Sequence, residues 1–119
     1  MSMIDTPGIQ VLGRALDLAV FRHGLITSNL ANIDTPGYRT RDINFRLELE
    51  HACEGGFAYA SDRPMVRSVE GLIERPDGNN VSMERETLLL AETQLRFQTA
   101  VQLLRVEFHR LSTAVNEGK

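Results

Sequence analysis

The chain has 119 residues, of which 42% are hydrophobic and 6% aromatic, and it contains no tryptophan. That length allows one domain with a modest, aliphatic core. The net charge of −3 argues against a nucleic-acid-binding protein, because contacts to phosphates require a basic face. Cys53 is the only cysteine, which excludes an intrachain disulfide and a metal site of clustered cysteines.

The N-terminal residues lack the features of a secretory signal peptide. They have no basic region followed by a continuous apolar run, since Asp5, Arg14 and Asp17 interrupt the apolar residues. Nowhere do 18 apolar residues follow one another, so no transmembrane helix is expected. We therefore expect a soluble protein made in the cytoplasm.

The first predicted element is a helix of about 25 residues. Thr6 fits the N-cap and Pro7 the first helical position. Gly13 and Gly24 either permit close packing of a neighbour or weaken the helix. We interpret His23 as a polar core residue rather than a metal ligand. Residues at alternating spacings of three and four predict a coiled-coil seam made of Ile9, Leu12, Leu16, Ala19, His23, Ile26, Leu30 and Ile33.

A turn is predicted where the helical pattern stops. Pro36-Gly37 is typical of a type II turn, because proline sets φ at the first central position and glycine accepts a positive φ at the second. Thr35 precedes proline and is disfavoured in a helix. Asp34 is expected to hold the turn by bonding the backbone that follows it.

Residues 35–80 predict a loop-rich connector that is extended or partly ordered, with up to two short strands. Residues 45–50 alternate between apolar and polar, which fits a strand, but Phe45, Leu49 and Ala52 equally fit a helical turn or two. Residues 65–66 and 72–73 are candidates for a small hairpin. Tyr38 and Phe45 are expected to anchor the connector on the helices or on a neighbouring molecule.

A second long helix is predicted over about residues 82–116. Asn80 or Ser82 fits its N-cap, and Glu84 and Glu86 suit the positive end of its dipole. The charges of residues 83–86 are most simply a solvated helix start. A second seam, with Gln94 as a polar break, consists of Leu90, Phe97, Val101, Leu104, Phe108, Leu111 and Val115.

These elements predict an all-α fold in which the long N- and C-terminal helices pair antiparallel in a coiled-coil-like bundle. One structural domain then has three segments: an N-terminal helix in 1–34, a connector in 35–80 and a C-terminal helix in 81–119. Four further leucines cannot all face one partner helix, so apolar surface is left for other molecules. These are Leu88, Leu89, Leu95 and Leu103.

Catalytic and ligand-binding motifs are missing from the sequence. It has no nucleophile elbow, phosphate-binding glycine loop or dinucleotide fingerprint. His23, His51 and His109 are not spaced as metal ligands. We expect no enzymatic activity, metal, cofactor or small-molecule substrate.

The string Asn29-Leu30-Ala31-Asn32-Ile33-Asp34-Thr35-Pro36-Gly37-Tyr38-Arg39 resembles the signature of bacterial flagellar axial proteins. Residues 41–45, 77–81 and 91–98 are also similar to proximal members of the flagellar basal-body rod protein family. The resemblance covers about residues 9–45 and 77–115, and residues 46–76 match only loosely. Hook-type relatives carry large inserted domains, for which this chain has no room.

The resemblance implies a structural subunit of the proximal rod, which serves motility and torque transmission. It implies self-association, contacts with other rod subunits and a basal-body adaptor, export through the flagellar type III apparatus without a cleaved signal, and a periplasmic location. The large apolar residues of the two seams, from Ile9 to Ile33 and from Leu90 to Val115, would form the assembly interface. Asn29 and Asn32 either cap the helix end or pack against adjacent subunits. The alternative is a cytoplasmic helical adaptor or chaperone-like dimer.

Overall fold

A computed structural model describes residues 7–54 and 63–118. In chain order its elements are α1 (Pro7–Ala31), β1 (Arg41–Asp42), α2 (Phe45–Glu54), β2 (Arg67–Ser68) and α3 (Met83–Glu117). The mostly helical class, with two long terminal helices and short strands in the connector, is confirmed.

Helix α1 begins at Pro7, the position predicted for it. The proposed N-cap, Thr6, lies outside the described residues. The helix ends at Ala31, where the amide of Asn32 donates to the carbonyls of both Ser28 (3.1 Å) and Asn29 (3.2 Å). Such a shared bond marks a tightened last turn, which ends the helix before the turn at Pro36.

Helix α3 begins after Ser82, whose side chain accepts a 3.2 Å hydrogen bond from the amide of Arg85. Of the two candidate caps, Ser82 is therefore the N-cap. The helix ends at Glu117, and its C-cap, Gly118, donates to the carbonyl of Ala114 (3.0 Å). These bounds agree with the prediction to within a residue.

Helices α1 and α3 pack antiparallel. Asn29 of α1 contacts Glu86 of α3 at one end of the pair, and Leu12 lies across a groove from Leu103 towards the other. The same register places Pro7 near residue 108, so the last nine or so residues of α3 extend beyond the described part of α1.

The hydrophobic core lies between α1 and the start of α2. Leu18 and Leu25 of α1 pack with Ile43 and Phe45 in one buried cluster, and Leu49 of α2 covers its edge. Residues 45–50 are thus helical, and the strand alternative is wrong. A helix suits this segment because its buried positions recur at intervals of three and four.

The predicted phase of the α1 seam is only partly right. Ala19 and Ile26 are buried as predicted, whereas His23 is exposed and is not a core residue. Leu18 and Leu25, which the seam omitted, are buried. The difference arises because α1 packs on two surfaces, α3 and the connector, and a single heptad seam describes one.

The α3 seam is rotated relative to the prediction. Its buried residues are Glu86, Thr93 and Ala100, seven apart. Gln94, the predicted polar break, is exposed, and Thr93 occupies the buried position instead. Small side chains at the contact let the two helices approach closely, and a search for large apolar residues misses that preference.

In the connector, β1 and β2 form a two-stranded antiparallel sheet, with Arg41 opposite Ser68 and Asp42 opposite Arg67. The predicted hairpin between residues 65–66 and 72–73 is wrong, because β2 pairs with the strand that follows the turn. Phe45 and Tyr38 anchor the connector on α1, as expected: Phe45 lies in the core, and the Tyr38 hydroxyl donates to Asn29 Oδ1 (3.0 Å).

Candidate functional site

The turn after α1 has the predicted geometry. The amide of Tyr38 donates to the carbonyl of Thr35 (3.2 Å), and Gly37 has φ of +76°. These values fit a type II turn with Pro36 and Gly37 at its centre. Asp34 does not hold the turn: it is exposed and makes no hydrogen bond to the described residues, whereas the Thr35 hydroxyl donates to Asn32 Oδ1 (3.0 Å).

A second loop, which precedes α3, packs directly on this turn. The amide of Gly37 donates to the carbonyl of Asp77 (2.8 Å). Gly78 has φ of +89°, and a Cβ added there would lie 3.3 Å from the Cα of Gly37. The two loops therefore meet backbone to backbone, and both glycines are required by their dihedral angles and Gly78 also by the close approach.

Asn29 makes four hydrogen bonds that join α1, the connector and α3. Its Nδ2 donates to the Arg41 carbonyl (2.9 Å) and to Glu86 Oε1 (2.7 Å). Its Oδ1 accepts from the Tyr38 hydroxyl (3.0 Å) and from the Arg41 amide (3.1 Å). The side chain is 1% exposed, and its capacity for hydrogen bonds is filled.

Two further buried asparagines bind the loops together. Asn79 Nδ2 donates to the carbonyls of Asn32 (2.9 Å) and Thr35 (2.8 Å), and so holds the turn against the second loop. Asn80 Oδ1 accepts from the amide of Thr40 (2.7 Å). Asparagine suits these positions because its side-chain amide, like a backbone peptide group, both donates and accepts hydrogen bonds.

Asp42 is the centre of a partly buried ion cluster. Both its oxygens accept from Arg22 (Nε to Oδ1 3.0 Å, Nη2 to Oδ2 2.9 Å), and Arg85 Nη2 lies 3.0 Å from Oδ2. Burial alone would raise the pKa of Asp42. The hydrogen bond and charge of Arg22, the Ile43 amide and Arg85 outweigh it and hold that pKa below its ordinary value of 3.8.

Glu86 completes this arrangement from α3. It is fully buried, with Oε1 bound to Asn29 and Oε2 bound to Arg85 Nη1 (2.6 Å). The interpretation of residues 83–86 as a solvated helix start is therefore wrong for Arg85 and Glu86. We call this set of buried and half-buried polar residues the polar junction; it consists of Arg22, Asn29, Thr40, Asp42, Asn79, Asn80, Arg85 and Glu86.

Comparison with known proteins gives a consistent result. The family model for flagella basal body rod proteins matches residues 9–39, which contain most of α1 and the turn. A flagellar basal body rod protein FlgB from Cereibacter sphaeroides is 38% identical over 117 residues, covering 88% of this chain and 91% of that protein. The chain belongs to the FlgB family of flagellar basal body rod proteins. FlgB of Bacillus subtilis is 31% identical over 122 residues (93% of this chain, 95% of that protein), and FlgB of Salmonella typhimurium is 30% identical over 123 (87% and 89%).

The residues of the string that resembles the flagellar axial signature occupy distinct positions in this fold. Asn29 is buried within the chain and cannot touch another subunit in this conformation. Asn32 is half-buried and serves the helix end, since its Nδ2 donates to the Ser28 carbonyl (2.8 Å). Tyr38 and Leu30 are half-buried. The remaining residues predicted for this motif are exposed: Ala31, Asp34, Thr35, Pro36 and Gly37.

The predicted assembly residues differ in their exposure. Ile26 is buried inside the chain. Phe97, Phe108 and Val115 are exposed, at 40%, 45% and 41%. The others are half-buried: Ile9, Leu12, Leu16, Ile33, Leu90, Val101, Leu104 and Leu111. That these residues contact neighbouring subunits stays a prediction.

Sequence reasoning missed most of the polar junction. The resemblance to flagellar rod proteins includes residues 77–81, but it does not predict that they pack on the turn. Their pair of asparagines beside Asp-Gly was a usable signal, because such a run favours a turn whose amides bond backbone groups. The contacts of Asp42 and Glu86 with α1 have no local signal in the sequence, since Arg22 lies 20 residues from Asp42 and Asn29 lies 57 residues from Glu86.

The side chains of the polar junction bind one another and the backbone, apart from the Thr40 hydroxyl, which has no hydrogen-bond partner among the described residues. Within residues 7–54 and 63–118, no group of three His, Cys, Asp or Glu side chains is placed to hold a metal ion. Within the same residues, no helix is long and apolar enough to span a membrane.

Proposed function

We propose that this chain is a structural subunit of the flagellar basal-body rod and lies in its proximal part. The observation that carries the proposal is the similarity to FlgB proteins, which extends over about nine-tenths of both chains. The fold supports it, because a rigid helix pair with uncovered apolar faces suits assembly. Its mechanical role is to transmit torque between neighbours.

The polar junction gives this role a physical basis. A rod subunit carries load through contacts on both helices and on the connector, so these elements have to move together. Asn29, Asp42 and Glu86 bind α1, the connector and α3 to one another through buried or partly buried hydrogen bonds of 2.7 to 3.0 Å. Such networks resist a change in relative orientation, because each broken bond leaves a buried polar group unpaired.

The three segments 1–34, 35–80 and 81–119 act together as one structural domain in this proposal. The two helical segments provide the axial surfaces, and the connector sets how the helices are held. Half-exposed seam residues, above all Phe97, Phe108 and Val115, contact adjacent subunits. Each Å² of apolar surface covered there contributes roughly 25 cal/mol to association.

The partners proposed are further copies of this chain, other rod subunits and a basal-body adaptor. The chain reaches the periplasm through the flagellar type III export apparatus and keeps its N-terminal residues. Intact-mass analysis of protein recovered from basal bodies tests this route. Loss of some 15–30 N-terminal residues would indicate a processed signal peptide instead.

The test of the function is a deletion strain complemented with the tagged chain. We expect the deletion to abolish motility and the assembly of rods, and the tagged protein to co-purify with basal bodies. A variant with Gly37→Val provides the negative control, because it disturbs the turn and leaves the remaining surface unchanged. Recovery of the wild-type protein only as a soluble cytoplasmic dimer would favour the adaptor or chaperone-like alternative.

A further inference from the structure

The small sheet of the connector is closed along its β1 edge. Arg41 is the β1 residue whose peptide groups face away from β2, and both of them bond the side chain of Asn29. The Arg41 amide donates to Asn29 Oδ1 (3.1 Å), and Asn29 Nδ2 donates to the Arg41 carbonyl (2.9 Å). The side-chain amide of Asn29 thus takes the place of a third strand beside β1.

The other edge of the sheet, formed by β2, carries an outward-facing peptide group at Ser68. The register pairs Ser68 with Arg41, and the amide of Val69 donates to the Thr40 carbonyl (2.9 Å). Alternate residues of an antiparallel strand bond the same neighbour, so Arg67 and Val69 face β1 while the N–H and C=O of Ser68 face the other way. No residue that the structure describes bonds either of these two groups.

A groove follows this open edge. It has a volume of about 630 Å³ and is lined by the consecutive residues 67–70 together with Asp42 and Ile43. Four residues of strand are about 13 Å long, which gives room for a short extended segment. The side chains of Arg67 and Ser68 are exposed, so a chain from the solvent can reach the edge.

The charges along the edge favour an acidic occupant. Arg63 and Arg67 are exposed and form no ion pair with a described residue. Between these positions Met65 is 72% exposed and adds apolar surface. The Asp42 carboxylate beside the groove is already bound by two arginine side chains, and Glu70 is the only acidic residue in positions 63–70. A strand that alternates acidic and apolar side chains therefore complements this edge.

We propose that the open edge of β2 binds an extended segment of another protein chain, which adds to the sheet as a third strand and places acidic side chains beside Arg67. Hydrogen bonds to the N–H and C=O of Ser68 hold the segment in one register. Main-chain bonds of this kind give affinity in strand addition, and the side chains give specificity. The contact requires a partner in an extended conformation and is separate from the helical faces.

Two synthetic peptides of equal length test this site on the full-length, isotope-labelled chain. One alternates Glu with Val, and the other carries Lys in place of each Glu. We expect the Glu peptide to bind saturably in a nuclear magnetic resonance titration, to shift the Ser68 amide signal and to slow the hydrogen exchange of that amide. The Lys peptide should not bind, because it would bring a second positive charge to Arg67.

Ser68→Pro removes the outward N–H and leaves the ladder between β1 and β2 intact. Proline is accepted on an edge strand where its nitrogen faces the solvent. We expect this variant to fold like the wild type by circular dichroism and to lose binding of the Glu peptide. Ser68→Ala is the matched control, since it keeps the amide and should bind like the wild type. Arg67→Glu should reverse the preference between the two peptides.

Three results would overturn the proposal. The first is that the Glu peptide does not bind, or binds no better than the Lys peptide. The second is slow exchange of the Ser68 amide in the free chain, which would show that the edge is already covered within the molecule. The third is unfolding of Ser68→Pro, which would show that this amide serves the fold. None of these measurements involves basal bodies or motility, so each of these results leaves the rod function standing.

Discussion

Asn29 and Glu86 are 57 residues apart in sequence and are joined by a 2.7 Å hydrogen bond inside the protein. The bond connects the last turn of α1 to the first turn of α3, and both side chains are at most 1% exposed. It therefore fixes the register of the antiparallel helices at the end of the pair where α1 stops and α3 begins.

Asn29→Ala should destabilise the isolated chain more than any other single alanine substitution in residues 29–39. It removes four hydrogen bonds, among them those to Glu86 Oε1 and to the Arg41 backbone, while Glu86 Oε2 keeps its bond to Arg85; the loss costs roughly 2–4 kcal/mol. Urea unfolding followed by circular dichroism gives the free energy. Asn32→Ala is the control, because its bonds are local, and equal losses in the two variants would contradict the proposed importance of the junction.

Gly37→Val and Gly78→Ala should both weaken the docking of the two loops. Gly37 has φ of +76°, which a β-branched residue resists, and a methyl group at Gly78 would press on the Gly37 Cα at 3.3 Å. Tyr38→Phe should cost only about 1 kcal/mol, since it loses the hydroxyl bonds alone. Motility and thermal unfolding measure the order of severity of the three substitutions. A Gly37→Val strain that swims normally would show that the turn is not needed.

Asp42 should make the protein sensitive to acid. Its folded pKa lies below its unfolded value, so the stabilisation is present above the unfolded pKa and is lost as pH falls through the folded pKa. Asp42→Asn should cost about 3 kcal/mol at pH 7, because it leaves Arg22 without its anion and removes one of the two carboxylates that Arg85 binds. The difference in free energy of unfolding between the wild type and Asp42→Asn should narrow below about pH 4. Asp34→Asn, at an exposed residue, should show no such convergence.

Hydrogen exchange in the isolated chain should show a gradient along the helix pair. Amides near the polar junction, in residues 18–31 and 83–93, should exchange most slowly, because opening there breaks the buried network. Amides of residues 109–117 should exchange fastest, since α3 there extends past the described part of α1. Mass spectrometry of deuterated peptides measures both, and uniform rates along α3 would contradict the gradient.

The sequence by itself determined the elements that depend on local rules. Pro36-Gly37 predicts its turn because few dihedral angles are open to either residue. Asn80 or Ser82 predicts the start of α3 because a side-chain oxygen there satisfies a free amide, and the structure selects Ser82. The long apolar repeats predict two helices, and their excess leucines predict uncovered surface. The flagellar family also followed from the sequence, because the signature lies in one continuous string.

Only the tertiary structure decided which face of each helix is buried and where the polar core lies. The repeat in α3 contains leucines on several faces, and the contact chosen buries Thr93 and Ala100 because they allow the helices to approach. Asp42 and Glu86 are ordinary surface residues by composition. They become internal because the packing of α1, the connector and α3 places Arg22, Asn29 and Arg85 around them. A charge is tolerated inside a protein only where such partners bind it.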